Sequence, residues 1–404
     1  MKLEIFAGLA IYTGLTLTFL FIFANTREKG RTIFWPLIIL LFLSTIIGSF
    51  FTKDMGLQWV LIEASTLSGA VLISTAKTER SMKAAWKFLL MNSYGLGIAF
   101  IGLLFIFYGS TVKGLNRELV SQSVNEHDTL IVHVGIWFTL FGYSAKLGIF
   151  PNYSWVGDTY ADSQSLVSAL IASFVPPAVS LAIYPLIQMD KTLQHKYISP
   201  STVFVIFSFI TILYSIWKLY HTNDIRRLSA KIALFHSGLL GVILYFSPEM
   251  EILYYILLTV LLVKTMLFLS LGLLRMNTKT RDLPEIIKSG SIHKGILYVF
   301  LFAVFISLSF PLSPVFISDI LLLFTGLARN AYWVPFILFS GPISFAILIY
   351  KLLPLCNLSD KAINEKDKKI IKIRYIATLH FMILIILLGT YGVYKIQFGE
   401  IFHG

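Results

Sequence analysis

Apolar runs of eighteen or more residues recur from one end of this chain to the other, and they leave few folds open. Inside a bilayer every backbone N–H and C=O must be satisfied within the protein, which an isolated helix does by itself. A run of that length is long enough to cross as a helix. The chain has 404 residues, of which 56% are hydrophobic and 13% charged; soluble domains carry about 25% charged residues. An all-α polytopic membrane protein is therefore expected. Twelve spans are read, near 3–24, 32–51, 57–76, 84–108, 130–150, 165–187, 202–217, 228–246, 252–274, 295–328, 332–353 and 373–394. The first has no small-residue cleavage site and is long enough to span, so no cleaved signal peptide is expected. The tenth is too long for one crossing and contains the break Pro311-Leu-Ser-Pro314.

The net charge of +12 invites a nucleic-acid reading. The cations, however, sit in short loops between spans, where the positive-inside rule accounts for them. No nucleic-acid partner is expected. The loops after odd-numbered spans hold most of them, among them Arg27, Lys29 and Arg31, then Lys77, Arg80, Lys83 and Lys87, then a run from Lys361 to Arg374. Those loops are expected to face the cytoplasm, with both termini outside. The loop of Asp158 and Asp162 has no Lys or Arg, although it falls on the same side. It is expected to fold back into the protein. The run 361–374 reads as a topology signal, with a docking patch as the alternative.

Ionisable residues inside the spans carry the functional argument, because charge at membrane depth is costly. Glu63 lies near the middle of the third span, with Ser65, Thr66 and Ser68 close by. Its carboxyl must be paired, wet or protonated; a hydrogen bond to a neighbouring helix is the structural alternative. Lys146 lies in the fifth span just before Gly148 and Pro151, in FGYSAKLGIFPNYSWVGD. A helix cannot cross Pro151 undisturbed, and broken helices at membrane depth line cavities or are buried in protein. The alternative is a lysine that snorkels to the interface. Lys264 has about ten apolar residues on either side in the ninth span, which makes snorkelling difficult. His236, about two turns into the eighth span, reads as a packed hydrogen-bonded residue or as a proton relay. Lys87, near the start of the fourth, reads equally as snorkelling or functional.

Asp319 follows the break of the tenth span, whereas Lys146 precedes the break of the fifth. Inverted-topology repeats produce that mirror relation. The organisation expected is 1–31 as an N-terminal span and loop, 32–200 and 201–353 as inverted five-helix repeats, and 354–404 as a basic loop and last span.

Several segments, in this order, carry a resemblance: EASTLSGAVLI with RSMKAAWKFLL, GYSAKLGIFPNYSWVGD with SQSLVSAL, DIRRLSAKIALFHSG, LLVKTMLFLSLGLL with TRDLPEI, and FPLSPVFISDILLL. Over roughly residues 55–330 the chain resembles the antiporter-like subunits of respiratory complex I, and most nearly the F component of hydrogenase-4 and related membrane-bound hydrogenases. The resemblance implies a fourteen-helix core of two inverted repeats with a chain of buried charges at mid-membrane. By position Glu63 resembles the carboxylate that pairs with the lysine of the first broken helix, and Lys146 that lysine. His236 matches the polar position before the central lysine, which Lys264 resembles, and Asp319 matches the charge after the second break. Glu63 and Lys146 are expected to lie close enough for a direct or water-bridged pair.

There are departures from the family pattern. Two N-terminal helices are expected to be lacking. The acidic-histidine turn after the tryptophan is altered to Gly157-Asp158-Thr159. Many members have a lysine or asparagine in the helix after the first broken one, where this chain has ASFVPPAVSL. Pro176 and Pro177 are expected to break that helix and leave a wet gap anchored by Ser173 and Ser180. Lys87 and Asp158 are further candidates for support of the path.

The expected function is movement of protons, or sodium ions, through the membrane subunit of an electron-transfer complex beside other membrane subunits. A multisubunit cation/proton antiporter or an inorganic-carbon uptake complex is the alternative. An oxidoreductase in its own right is excluded by residues: Cys356 is the single cysteine, and no dinucleotide fingerprint or haem-ligand pair stands out. No cofactor or metal bound by the chain is expected. The membrane expected is the prokaryotic plasma membrane.

Overall fold

A computed structural model describes residues 1–25, 34–110, 112–126, 129–194, 198–311, 313–363 and 367–397. Arg27, Lys29, Arg31 and the boundary at residue 31 lie outside these, as do 364–366 of the basic run. The helices in chain order are α1 (Leu3–Asn25), α2 (Phe34–Phe51), α3 (Met55–Ser74), α4 (Glu79–Gly109), α5 (Arg117–Glu126), α6 (Leu130–Leu147), α7 (Ser154–Asp162), α8 (Ser165–Thr192) and α9 (Pro200–His221). There follow α10 (Ile225–Tyr245), α11 (Met250–Thr278), α12 (Leu283–Lys288), α13 (Lys294–Ile306), α14 (Pro314–Ala328), α15 (Val334–Leu338), α16 (Ser340–Cys356) and α17 (Lys368–Gln397). The two-residue strands β1 (Ser291–Ile292) and β2 (Ser359–Asp360) pair in parallel.

Eleven helical stretches among the described residues are long and apolar enough to cross a membrane, and the chain is an integral membrane protein. The remaining expected span is split between α13 and α14, each too short to cross alone. α8 and α11 are buried along the whole of their most apolar windows. They pack on one another at the centre of the bundle, and the other helices surround them.

The start of α3 and the start of α10 are built alike. Asp54 caps α3 by accepting from the Leu57 N–H, and Asp224 caps α10 by accepting from the N–H groups of Arg226 and Arg227. Met55 N donates to Leu115 O and Arg117 N to Lys53 O, both at 2.9 Å, which ties α3 to the start of α5. Ile225 N donates to Arg281 O and Leu283 N to Asn223 O, again both at 2.9 Å, which ties α10 to the start of α12. The same backbone joint thus occurs twice.

α4 and α6 touch backbone to backbone. A Cβ on Gly142 would lie 2.4 Å from Gly95 O, and one on Gly102 would lie 2.6 Å from Gly135 O. Small residues let two membrane helices approach this closely. The contact sets the position of α6, which carries Lys146 at its C-terminal end.

The break expected from sequence at Pro176 and Pro177 is absent: α8 runs through both and through Pro185 without interruption. A proline deletes one donor each time, but this helix is enclosed on all sides by its neighbours, and their packing holds its course. The break at Pro311 and Pro314 is present: Pro314 opens α14 as its first residue, where a missing N–H costs nothing, and Pro311 lies in the turn before it. Gly148 and Pro151 do mark a break. Gly148 ends α6 with φ +82°, and α7 begins at Ser154.

Candidate functional site

The first broken helix presents Lys146 to the protein interior. Several backbone groups freed at the break find partners, as membrane depth requires. Ala145 O accepts from Gly148 N at 3.2 Å and from Trp155 Nε1 at 2.9 Å, and Phe150 N donates to Thr211 Oγ1 at 2.8 Å. Lys146 is 0% exposed. Its Nζ donates to Thr66 Oγ1 at 2.7 Å and lies 4.8 Å from the centre of the Phe88 ring. The Thr66 hydroxyl spends its own proton on Ile62 O, at 3.2 Å, so its lone pairs face the lysine.

Glu63 is one turn before Thr66 on the same face of α3, and its field reaches Lys146. The two do not form a direct ion pair. Glu63 Oε1 accepts from Ser93 Oγ at 2.7 Å, and Oε2 has no partner among the described residues. The threonine reaches the ammonium first because it is the α3 side chain level with the end of α6. Thr66→Val should therefore leave the Lys146 amine unpaired and lower stability by about 1–3 kcal/mol. Thermal melting of the purified variant checks this, and an unchanged midpoint would remove Thr66 from the site.

The second broken helix serves His236. α13 ends at Ile306, and the freed carbonyl of its cap residue, Ser307, accepts from His236 Nε2 at 2.6 Å. A carbonyl can only accept, so Nε2 carries the hydrogen and Nδ1 is left as the nitrogen that can gain or lose a proton. Nδ1 is buried with no partner among the described residues. Lys264 is the ionisable neighbour of His236 on α11. It is 0% exposed, and its Nζ makes no hydrogen bond among the described residues. Asp319 accepts from the Ser309 hydroxyl, whose residue lies in the break with φ +59°. That is an uncommon conformation for a residue with a Cβ. His236 and Asp319 line one small cavity of about 20 Å³ with Thr259 and Ser318, room for about one water.

Between the halves, Ser173 of α8 lies 2.8 Å from Thr265 of α11, the residue after Lys264. Thr265 gives its proton to Leu261 O at 2.8 Å, so Ser173 is the donor in that contact. Ser180, two turns further along α8, has a buried hydroxyl with no partner among the described residues. The residues named from sequence thus fall into two clusters, Glu63 with Lys146 and His236 with Lys264 and Asp319, with Ser173 on the helix between.

Lys87 and Asp158 belong elsewhere. They pair with each other at 2.8 Å at one end of the bundle, where Asp158 also meets Arg227 at 3.3 Å. Asp162 meets Arg281 at 2.9 Å and Arg227 at 3.6 Å. Burial raises the Asp162 carboxyl above its ordinary range, and Arg227 and Arg226 oppose that shift. The segment of Asp158 and Asp162 is folded back as α7 against α4 and α10, as its lack of cations suggested. Ser93, Thr265 and Ser309 escaped the sequence reading. Hydroxyls on apolar helices usually bond their own preceding turn, so nothing in the sequence separates these three from the rest.

Residues 52–344 match the family model described as NADH:quinone oxidoreductase/Mrp antiporter, TM. The chain belongs to this NADH:quinone oxidoreductase/Mrp antiporter family. All five ionisable residues of the two clusters fall inside the matched region. The hydrogenase-4 component F homolog of Methylacidiphilum infernorum is 24% identical over 295 residues, covering 69% of this chain and 60% of the relative. The NAD(P)H-quinone oxidoreductase chain 4-2 of a Synechocystis species is 25% identical over 345 residues, covering 83% of this chain and 58% of the relative. The chain therefore spans about three-fifths of the length of these relatives. Its fold is similar to a chain of the membrane-bound sulfane sulfur reductase, an archaeal respiratory membrane complex, with TM-score 0.80 and 18% identity over 98% of this chain and 80% of that one. It is similar also to a chain of the Mrp complex from a Dietzia species, with TM-score 0.78 and 16% identity over 100% of this chain and 84% of that one.

Proposed function

We propose that this member of the NADH:quinone oxidoreductase/Mrp antiporter family is the proton-translocating membrane subunit of a multisubunit electron-transfer complex, of the membrane-bound hydrogenase or NADH:quinone oxidoreductase type. The observation that carries the reading is a pair of fully enclosed lysines, Lys146 and Lys264, with no charge partner among the described residues in contact with either amine. An uncompensated buried ammonium is expensive to keep unless it is used. In this reading the protons pass from Glu63 and Lys146 across α8 to Lys264, His236 and Asp319. The chain binds no cofactor of its own; electron transfer belongs to partner subunits. Residues 32–200 and 201–353 form inverted repeats, a reading supported by the joint that occurs at the starts of both α3 and α10. The membrane is the prokaryotic plasma membrane, with both termini outside, on the strength of the loop cations.

Co-purification from native membranes followed by reconstitution tests the proposal. Redox-driven proton uptake into vesicles, beside hydrogenase-type or quinone-reductase-type subunits, is the expected result. Sodium-driven proton exchange without a redox donor would assign the chain to an Mrp-type antiporter instead.

The crossing of α8 makes a separate prediction. Pro176 and Pro177 cannot donate to the carbonyls of Ala172 and Ser173, one turn earlier. Those carbonyls, with the hydroxyls of Ser173 and Ser180, are the polar groups that can hold a water link between the clusters. Replacement of both prolines by leucine restores two N–H donors and is expected to slow transport about tenfold, about 1.4 kcal/mol in the barrier. Proton uptake at the wild-type rate would place the link elsewhere.

A further inference from the structure

Six helix ends meet at one face of the bundle: the end of α3, the start of α4, the end of α7 and the start of α8 at their junction, the start of α10 and the end of α11. They enclose an open cavity of about 710 Å³. Five cations line it, Arg80, Arg226, Arg275, Lys279 and Arg281, against two carboxylates, Glu79 and Asp162. Both carboxylates are already engaged. Glu79 holds Lys83 at 2.5 Å, and Asp162 holds Arg281 and Arg227. No ion pair among the described residues takes up Arg80, Arg226, Arg275 or Lys279.

Three of these four sit in solvent-facing positions and are ordinary loop cations by themselves. Arg226 is different. It is 2% exposed, donates from one terminal nitrogen to Ser163 O, and has a buried Nε with no partner among the described residues. A desolvated guanidinium with a spare donor and no carboxylate in contact is unfavourable unless an anion completes it. The positive end of α8 borders the same cavity, because its cap residue Gln164 is extended and makes no side-chain capping bond there.

We propose that this cavity binds a phosphate-type oxyanion, supplied either by the headgroup of an anionic phospholipid or as free phosphate. Guanidinium groups suit that ligand because their forked donors match two of its oxygens. Arg226 forms the floor of the site and Arg275 and Arg80 its rim. The face is the one that gathers the loops after odd-numbered spans, where anionic lipid meets basic pockets between membrane helices. None of Glu63, Lys146, His236, Lys264 or Asp319 lines the cavity, so its occupancy is separable from the proton path.

The test uses the full chain, purified with its native partners in mild detergent, and two probes. In the first arm, native mass spectrometry follows retention of added phosphatidylglycerol against phosphatidylcholine. In the second, inorganic phosphate is titrated into delipidated protein and thermal melting is followed. Arg275→Gln, at an exposed position that should not disturb folding, is expected to weaken binding about tenfold, the loss of one charge-assisted hydrogen bond. Lys53→Gln, which removes a cation paired with Glu118 outside this cavity, is expected to change nothing. Arg226→Gln, if it folds, should show a loss at least as large. Sensitivity to Arg275→Gln in the first arm assigns a lipid headgroup, and in the second arm free phosphate. If Arg275→Gln leaves both arms as in the wild type, or if Lys53→Gln weakens binding equally, the proposal is overturned.

Discussion

Replacement of Lys264 by alanine is expected to abolish proton uptake in reconstituted vesicles while the chain still inserts and assembles. Lys264 sits at the middle of α11, the helix that packs on α8 at the centre of the bundle, and its amine has no hydrogen-bond partner among the described residues. Alanine removes a charge that is unfavourable there, so assembly should survive; the deleted side-chain volume costs about 2–4 kcal/mol at most through the cavity left behind. Transport should fall by well over about tenfold, because no other group on α11 at that level can hold and release a proton. Lys264→Arg sharpens the test. It keeps a cation of similar length that cannot be deprotonated in a protein. If Lys264 works by switching its charge, the arginine variant should be as inactive as the alanine one. If a fixed positive charge is all that is needed, arginine should restore transport. Undiminished uptake by a well-assembled alanine variant would remove Lys264 from the path.

At His236 two variants should separate structure from function. Glutamine places an amide nitrogen near the position of Nε2, keeps the bond to Ser307 O, and cannot carry a proton at the site of Nδ1. His236→Gln should melt within about one degree of the wild type and lose proton uptake by about tenfold or more. Leucine removes both roles. It leaves the carbonyl at the end of α13 buried and unpaired, at a cost of about 1–3 kcal/mol, so His236→Leu should lose stability as well as transport. A glutamine variant that pumps at the wild-type rate would reduce His236 to a cap for the broken helix. A leucine variant as stable as the wild type would show that the Ser307 carbonyl finds another donor.

What the sequence determined by itself is the class of fold and the identity of the costly residues. Membrane spans are legible because a bilayer demands about twenty consecutive apolar residues, a local requirement. The breaks at Gly148 and Pro151, and before α14, are legible for the same reason: a left-handed turn and a missing donor are properties of single residues. Lys146, Lys264, Glu63, His236 and Asp319 stand out because charge in an apolar run is rare. What each of them touches was decided only in three dimensions. Whether Lys146 meets Glu63 or Thr66 depends on how α6 is levelled against α3, and that follows from the close contact of α6 with α4 through Gly95, Gly102, Gly135 and Gly142. The partner of His236 is a carbonyl that exists as an acceptor only because α13 ends where it does. Pro176 and Pro177 were misjudged for a tertiary reason too: helix-breaking is an average over exposed and enclosed helices, and α8 is enclosed on every side. Local chemistry selects which side chains cannot be idle in a membrane, and the packing of helices far apart in the chain selects their partners, because a hydrogen bond is decided by distances of a few tenths of an ångström.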